Sequence, residues 1–258
     1  MARPKVKIVV TTLMWKRPEI FRTWATALKA AAGENMPAVL VAGSEGTTSR
    51  VLAEEYGFHY IEVPNRPIGR KANARFTACR ALDPDYVIFC GSDDIVSAPT
   101  WRYYEDLAAR GAEEVNIDDI YHYNSHTGEL AYSPGYKDHR SAQPVAPWRM
   151  LSRKLCEALG WRGWTDDERL FLDRHFYDRL EAIPHAVHRI HVRDQGLFVC
   201  DIKSQVNMTR WRTRSHWQVL NPALLERHLT SDVLVQLAKL RGPVTDTRYL
   251  GVRHLKEA

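Results

Sequence analysis

Asp85-Tyr-Val-Ile-Phe-Cys-Gly-Ser-Asp-Asp94 runs an apolar stretch of strand length straight into two adjacent carboxylates. It reads as a buried strand that delivers Asp93 and Asp94 to one edge of a sheet. The chain before it alternates in kind. Residues 5–12 form a second buried strand, and Pro18 opens a helix through about residue 32 at its first turn. Residues 37–42 are a strand ended by Gly43-Ser-Glu-Gly46, followed by a helix over 48–56 that stops at Gly57. Residues 58–63 alternate as a strand does, and 69–82 are helical. Four strands with helices between them predict an α/β fold with a mainly parallel, doubly wound sheet. Ligands of such sheets bind beyond the carboxyl ends of the strands. That places Thr11, Thr12, Arg17, Glu45, Asp93 and Asp94 at one edge.

Beyond the acids the pattern is less regular. A helix is expected over 99–110, a strand over 115–123, and a turn at 126–129 leading into a returning strand at 130–133. Helices follow over 152–159 and 166–180, then strands near 186–192 and 197–200. Asn221 caps a last helix that has Pro222 at its first position and runs to about residue 240. No repeat or long linker divides the chain. One domain over 1–258 is expected, in two parts, a regular half (1–98) and a less regular half (99–258).

Composition bounds the rest. The 258 residues can bury a sizeable core, and no apolar run reaches the ~18 residues of a membrane span. The first residues, Met-Ala-Arg-Pro-Lys, lack the apolar stretch of a signal peptide. Cys79, Cys90, Cys156 and Cys200 show no paired spacing, which fits small core residues in a reduced, cytoplasmic compartment. Net charge is +5, unevenly spread. Residues 1–136 hold 15 Lys/Arg against 17 Asp/Glu, whereas 137–258 hold 21 against 14. That half would hold a polyanion, or simply be an Arg-rich solvated surface.

Adjacent carboxylates at a strand end suit a hard divalent cation, which neutralises the charge growing on a departing diphosphate. Turn or cap duty is the alternative for the same residues. The order strand–Arg-Pro, strand–Gly-Ser-Glu-Gly, Gly69-Arg-Lys-Ala-Asn-Ala-Arg75 and Tyr-Val-Ile-Phe-Cys-Gly-Ser-Asp-Asp resembles family-2 glycosyltransferases of the GT-A fold. The resemblance spans about residues 5–180. It implies Mn²⁺ or Mg²⁺ on Asp94 and Asp93, with Asp93 also placed to hold the ribose. Gly91 stands where that family often has a further acid. The donor implied is a nucleoside diphosphate sugar, guessed to be a UDP-sugar, with Glu45 at the base. Arg70 or Lys71 would touch base or diphosphate, Asn73 matches the family's helix motif, and Thr11, Thr12 and Arg17 would line the nucleotide cradle.

By the same resemblance, Thr165-Asp-Asp-Glu168 opens a helix near the acceptor. Asp167 would be the general base of an inverting transfer, with Asp166 as substitute. The same four residues also fit a capping box. Arg210, Arg212 and Arg214, interleaved with Trp211 and Trp217, could clamp a diphosphate or a nucleic-acid backbone. His216 and His191 are the candidates for a further metal ligand. The expected acceptor is a hydroxymethylated DNA base, ahead of a soluble saccharide or protein. A nucleotidyltransferase and a non-catalytic nucleotide-binding protein are the rival classes.

Overall fold

The computed structural model describes residues 6–137, 140–170, 172–204, 211 and 216–241. β1 (Ile8–Leu13), β2 (Ala38–Gly43), β3 (His59–Glu62) and β4 (Tyr86–Phe89) alternate with α1 (Pro18–Ala32), α2 (Thr47–Glu55) and α3 (Ile68–Cys79). After the acids come β5 (Asp94–Val96), α4 (Ala98–Ala109), β6 (Glu114–Ile117), β7 (Ile120–Asn124), β8 (Leu130–Ser133) and β9 (Val145–Ser152). The remainder is α5 (Arg153–Ala158), α6 (Leu172–Glu181), β10 (Val187–Ile190), β11 (Val199–Lys203), β12 (Gln218–Leu220), α7 (Leu225–His228) and α8 (Ser231–Lys239).

A seven-stranded sheet has the order β10-β6-β9-β4-β1-β2-β3. β4, β1, β2 and β3 are parallel, as expected, while β9 runs antiparallel between β4 and β6. Period-two alternation divides the first strands between two cores. Ile8, Val10, Val39, Val41 and Ile88 enter one with Phe21 and Trp24 of α1, while Val9, Leu40, Val87 and Phe89 enter the other with Phe76 of α3. Both faces are thus covered, which is why these strands read as continuous apolar runs. A second sheet, β12-β8-β7-β11-β5, abuts the first.

Four expectations are corrected. The run 115–123 is two strands in different sheets, because Asp118 and Asp119 turn the chain between them and Asp119 accepts from the amides of Val192 and Arg193. β9 was not foreseen; its Pro147 and the left-handed Trp148 (φ 58°) break the strand pattern locally. The helix expected over 166–180 begins only at Leu172, since 161–170 is occupied by turns. The last helix is interrupted: Asn221 caps a 3₁₀ turn over Pro222–Leu224, and extended Leu229 separates α7 from α8.

Candidate active site

β1 continues to β2 on one side and has β4 on the other, so the strand order reverses between β1 and β4. Beyond that crevice lie the Met14–Arg17 loop and the Gly91–Asp94 turn. Arg17 Nη1 donates to Asp93 Oδ2 at 2.5 Å, and its Nη2 donates to Ser92 Oγ at 3.1 Å. The Gly91 amide donates to Asp94 Oδ2 at 2.5 Å. A Cβ on Gly91 would lie 2.4 Å from Asp93 Oδ1 and 2.7 Å from Asp94 Oδ2. The glycine is therefore required by the way both carboxylates fold back over it, and no acid could replace it without moving them. From the other side, Trp148 Nε1 donates to the Asp94 carbonyl at 3.0 Å. The positive φ of this tryptophan, uncommon for a bulky residue, buys that support.

The second sheet supplies partners that sequence reasoning missed. β5 pairs antiparallel with β11, setting Asp201 opposite Asp94, and the Ile202 amide donates to the Asp93 carbonyl at 2.8 Å. Asp201 is ion-paired with Lys203 and lies 3.7 Å from His122 Nδ1. The Trp217 ring stacks on His122 at 4.1 Å between centroids, and Trp211 meets Trp217 edge-on at 5.8 Å. Burial raises the pKa of Asp93, against the pull of Arg17, and raises that of Asp94 well above the usual range, helped by Asp93 and Asp201. Burial would also raise Asp201, but Lys203 and His122 outweigh it and hold this carboxyl low. The signal was legible: Val199-Cys-Asp-Ile-Lys203 alternates so that Asp201 and Lys203 share one face.

Hard oxygen donors in this arrangement fit a divalent cation. Asp201 Oδ1 is buried with no hydrogen-bond partner among the described residues. Those residues hold no cage of three or more His, Cys, Asp or Glu ligands. A Mg²⁺-like ion bound through one or two carboxylates plus substrate phosphates needs none.

Other expected contacts are distributed differently. Thr11 Oγ1 donates to the Leu40 carbonyl inside the sheet, and Thr12 is fully buried. Glu45 Oε2 accepts from the Lys16 amide at 2.7 Å and from Ser49 Oγ, tying the β1–α1 and β2–α2 loops together. Lys71 is buried and donates to the Met14 carbonyl at 2.8 Å and to Asn65 Oδ1 at 3.1 Å; desolvation lowers its pKa to about 8. Arg70 is exposed. His191 is exposed and lies 3.5 Å from Asp118, and His216 is partly buried. Arg210, Arg212 and Arg214 lie outside the described residues.

Asn73 is committed to the 161–168 turn. Its Nδ2 donates to the Trp164 carbonyl (2.7 Å) and Asp166 Oδ1 (2.9 Å), and its Oδ1 accepts from the amides of Gly163 and Trp164. Gly69 lets the start of α3 touch this turn: a Cβ there would meet the Thr165 carbonyl at 2.1 Å. Asp166 also accepts from Arg162 at 2.7 Å, and Asn73, with Arg162, lowers its pKa. Asp167 is exposed. Thr165 and Glu168 do bond to each other, Glu168 Oε1 accepting from the Thr165 amide and hydroxyl, but within a turn rather than at a helix start. Asn73→Ala is expected to cost about 2–4 kcal/mol of stability, from four lost bonds in a buried network, and to leave nucleotide affinity nearly unchanged. Denaturant titration beside nucleotide titration reads this, and lost affinity with intact stability would instead make Asn73 a donor contact.

The acid in the first turn of α6 is Asp173. Its side chain reaches solvent, yet surrounding protein raises its pKa by desolvation against the pull of Arg149, Arg140, Arg75 and Lys203. Lys203 is ion-paired with Asp201, and Asp201, Asp93 and Asp94 together raise its pKa against burial.

No protein-family model matches the sequence, and no curated protein matches it. Solved structures do match in fold. Staphylococcus aureus TarS 1–349 superposes with a TM-score of 0.59 at 12% identity, over 76% of this chain and 60% of that one. The same protein in complex with UDP gives 0.58 at 13% identity, over 77% and 61%. The longer TarS structure gives 0.56 at 12% identity, over 76% and 36%. The chain therefore spans about 60% of the length of TarS 1–349. Its fold is that of the GT-A glycosyltransferases. Among the described residues no helix is long and apolar enough to cross a membrane.

Proposed function

We propose that the chain transfers a sugar from a nucleoside diphosphate sugar, a UDP-sugar by preference, to an acceptor hydroxyl with inversion. The observation that carries this is Asp93-Asp94 at the sheet's switch point, with Asp201 paired opposite Asp94 and ion-paired to Lys203. That TarS, similar in fold, is known in complex with UDP supports a uridine nucleotide as the donor. Mn²⁺ or Mg²⁺ would be held by Asp94 and Asp93 and would neutralise charge on the departing diphosphate. Arg17 and Lys203 add positive charge at the same place. Glu45 sits at the base end, and Arg70 near the diphosphate. Arg210, Arg212 and Arg214, whose neighbours Trp211 and Trp217 pack beside His122, complete the phosphate contacts.

Asp173 is the base in this reading. Its carboxylate takes the acceptor hydroxyl proton as the hydroxyl oxygen bonds to the anomeric carbon. The bond from that carbon to the diphosphate oxygen breaks, and the nucleoside diphosphate leaves with the electron pair. Asp166 and the mount around it shape the acceptor side, and Asp167 is the competing candidate for the base.

Nucleoside diphosphate release from a sugar-nucleotide panel tests the reaction. Release is expected with Mn²⁺ or Mg²⁺ and is expected to fall to background in EDTA. Pyrophosphate as the product would make the chain a nucleotidyltransferase; binding without turnover would make it a binding protein. Hydroxymethylated DNA, the acceptor suggested by the basic second half, is one arm of the panel, with soluble saccharides and proteins as the others.

A further inference from the structure

Arg75 is a buried cation without an anion. It projects from α3, is 6% exposed, and stands 5.3 Å from the Phe89 ring centroid and 5.9 Å from that of Trp164. Its Nε has no hydrogen-bond partner, and no carboxylate lies within ion-pair distance of its guanidinium among the described residues. Burial lowers its pKa to about 10. An unpaired buried charge is costly, and proteins keep one where a ligand supplies the counter-charge.

Its surroundings are rich in positive charge. Arg149, 3% exposed, is held from behind by Asn116 Oδ1 at 2.9 Å and Glu114 Oε1 at 3.5 Å, with its guanidinium 5.2 Å from the Phe176 centroid. Arg140 covers the Tyr136 ring at 3.7 Å and donates through Nε to Gln143 at 2.7 Å. Arg75, Arg140 and Arg149 all act on the single carboxylate of Asp173. With Arg149 matched by Glu114, Arg75 and Arg140 are left with the one carboxylate of Asp173, and positive charge remains uncompensated on the side where the acceptor hydroxyl would meet its base.

We propose that Arg75 and Arg140, backed by Arg149, form an anion subsite for the acceptor, which therefore carries a phosphate or carboxylate beside its reacting hydroxyl. This rests on the transferase reading and gives it a substrate class. The guanidinium forks bind the anion, and the hydroxyl is thereby brought to Asp173. The donor diphosphate is the other anion that could occupy such arginines, so the test separates the two.

Glycerol 3-phosphate and glycerol are titrated calorimetrically into the full chain, both free and saturated with UDP and Mg²⁺. The UDP-loaded chain is expected to bind glycerol 3-phosphate and not glycerol. Arg75→Gln and Arg140→Gln are each expected to weaken that binding about tenfold or more while UDP affinity stays within about twofold. Arg140, only partly buried, keeps the test alive if the Arg75 variant fails to fold. Binding abolished by UDP, equal binding of glycerol, or no loss in a folded variant overturns the proposal. So does salt-sensitive binding of a DNA oligonucleotide, with no glycerol 3-phosphate binding, that both variants retain. If UDP does not bind at all, the transferase reading falls, and arginine-dependent binding to the free chain still decides whether the subsite exists.

Discussion

Asp94→Asn is expected to lower sugar transfer by about 10³-fold or more and to remove the metal dependence of nucleotide binding. The loss corresponds to several kcal/mol of charge stabilisation on the leaving diphosphate, at 1.36 kcal/mol per tenfold. The substitution keeps shape, and the amide oxygen can still accept from the Gly91 amide. It also separates chemistry from folding. The folded protein holds the Asp94 pKa well above its ordinary value, so in the metal-free chain ionisation costs stability. That cost is absent below the unfolded-state pKa and grows as pH rises through the folded one. Asparagine removes it, so the metal-free variant should melt no lower than the native chain at neutral pH. Transfer close to native turnover in the variant, or native turnover in EDTA, would remove the metal from the mechanism.

Asp173→Asn is the second large effect. A positioned base contributes about 10²–10⁴-fold, so transfer should fall by that amount while UDP affinity stays within about twofold. The pKa of Asp173 is raised by desolvation, and a base works only when deprotonated. The acid limb of the kcat/KM profile should therefore lie above the ordinary carboxylate range, and it should disappear in the variant. Asp167→Asn, altering an exposed side chain on the preceding turn, is expected to retain most activity. The reverse pattern, Asp167→Asn inactive and Asp173→Asn near native, would return the role to the turn.

The first four strands and the acid pair were readable because their determinants are local. Buried parallel strands announce themselves as apolar runs, and Asp93-Asp94 follows one of them directly. The second half depends on pairings that local pattern does not encode. β9 enters the middle of the first sheet with Pro147 and a left-handed Trp148, each of which argues against a central strand when read alone. Asp201 reaches Asp94 only through a β5–β11 ladder that spans more than a hundred residues. The Thr165–Glu168 pattern fits a capping box in sequence, yet here the Thr165 amide and hydroxyl both donate to Glu168 Oε1 within a turn held by Gly69 and Asn73, and α6 starts later. Asp173, which does open α6, lacked the neighbouring acid by which the resemblance had been traced.

The interleaving of the sheets bears on how such a chain could be recombined. β4 belongs to one sheet and β5, five residues on, to the other, while β9 returns to lie beside β4. A chimaera joined near residue 98 would part β4 from β9, so that a central ladder of the first sheet would have to form between strands of two different parents. On the proposed reading, acceptor preference is therefore not a module to be exchanged by crossover; it would be transplanted through side chains that line the cleft, with the shared strands left in place.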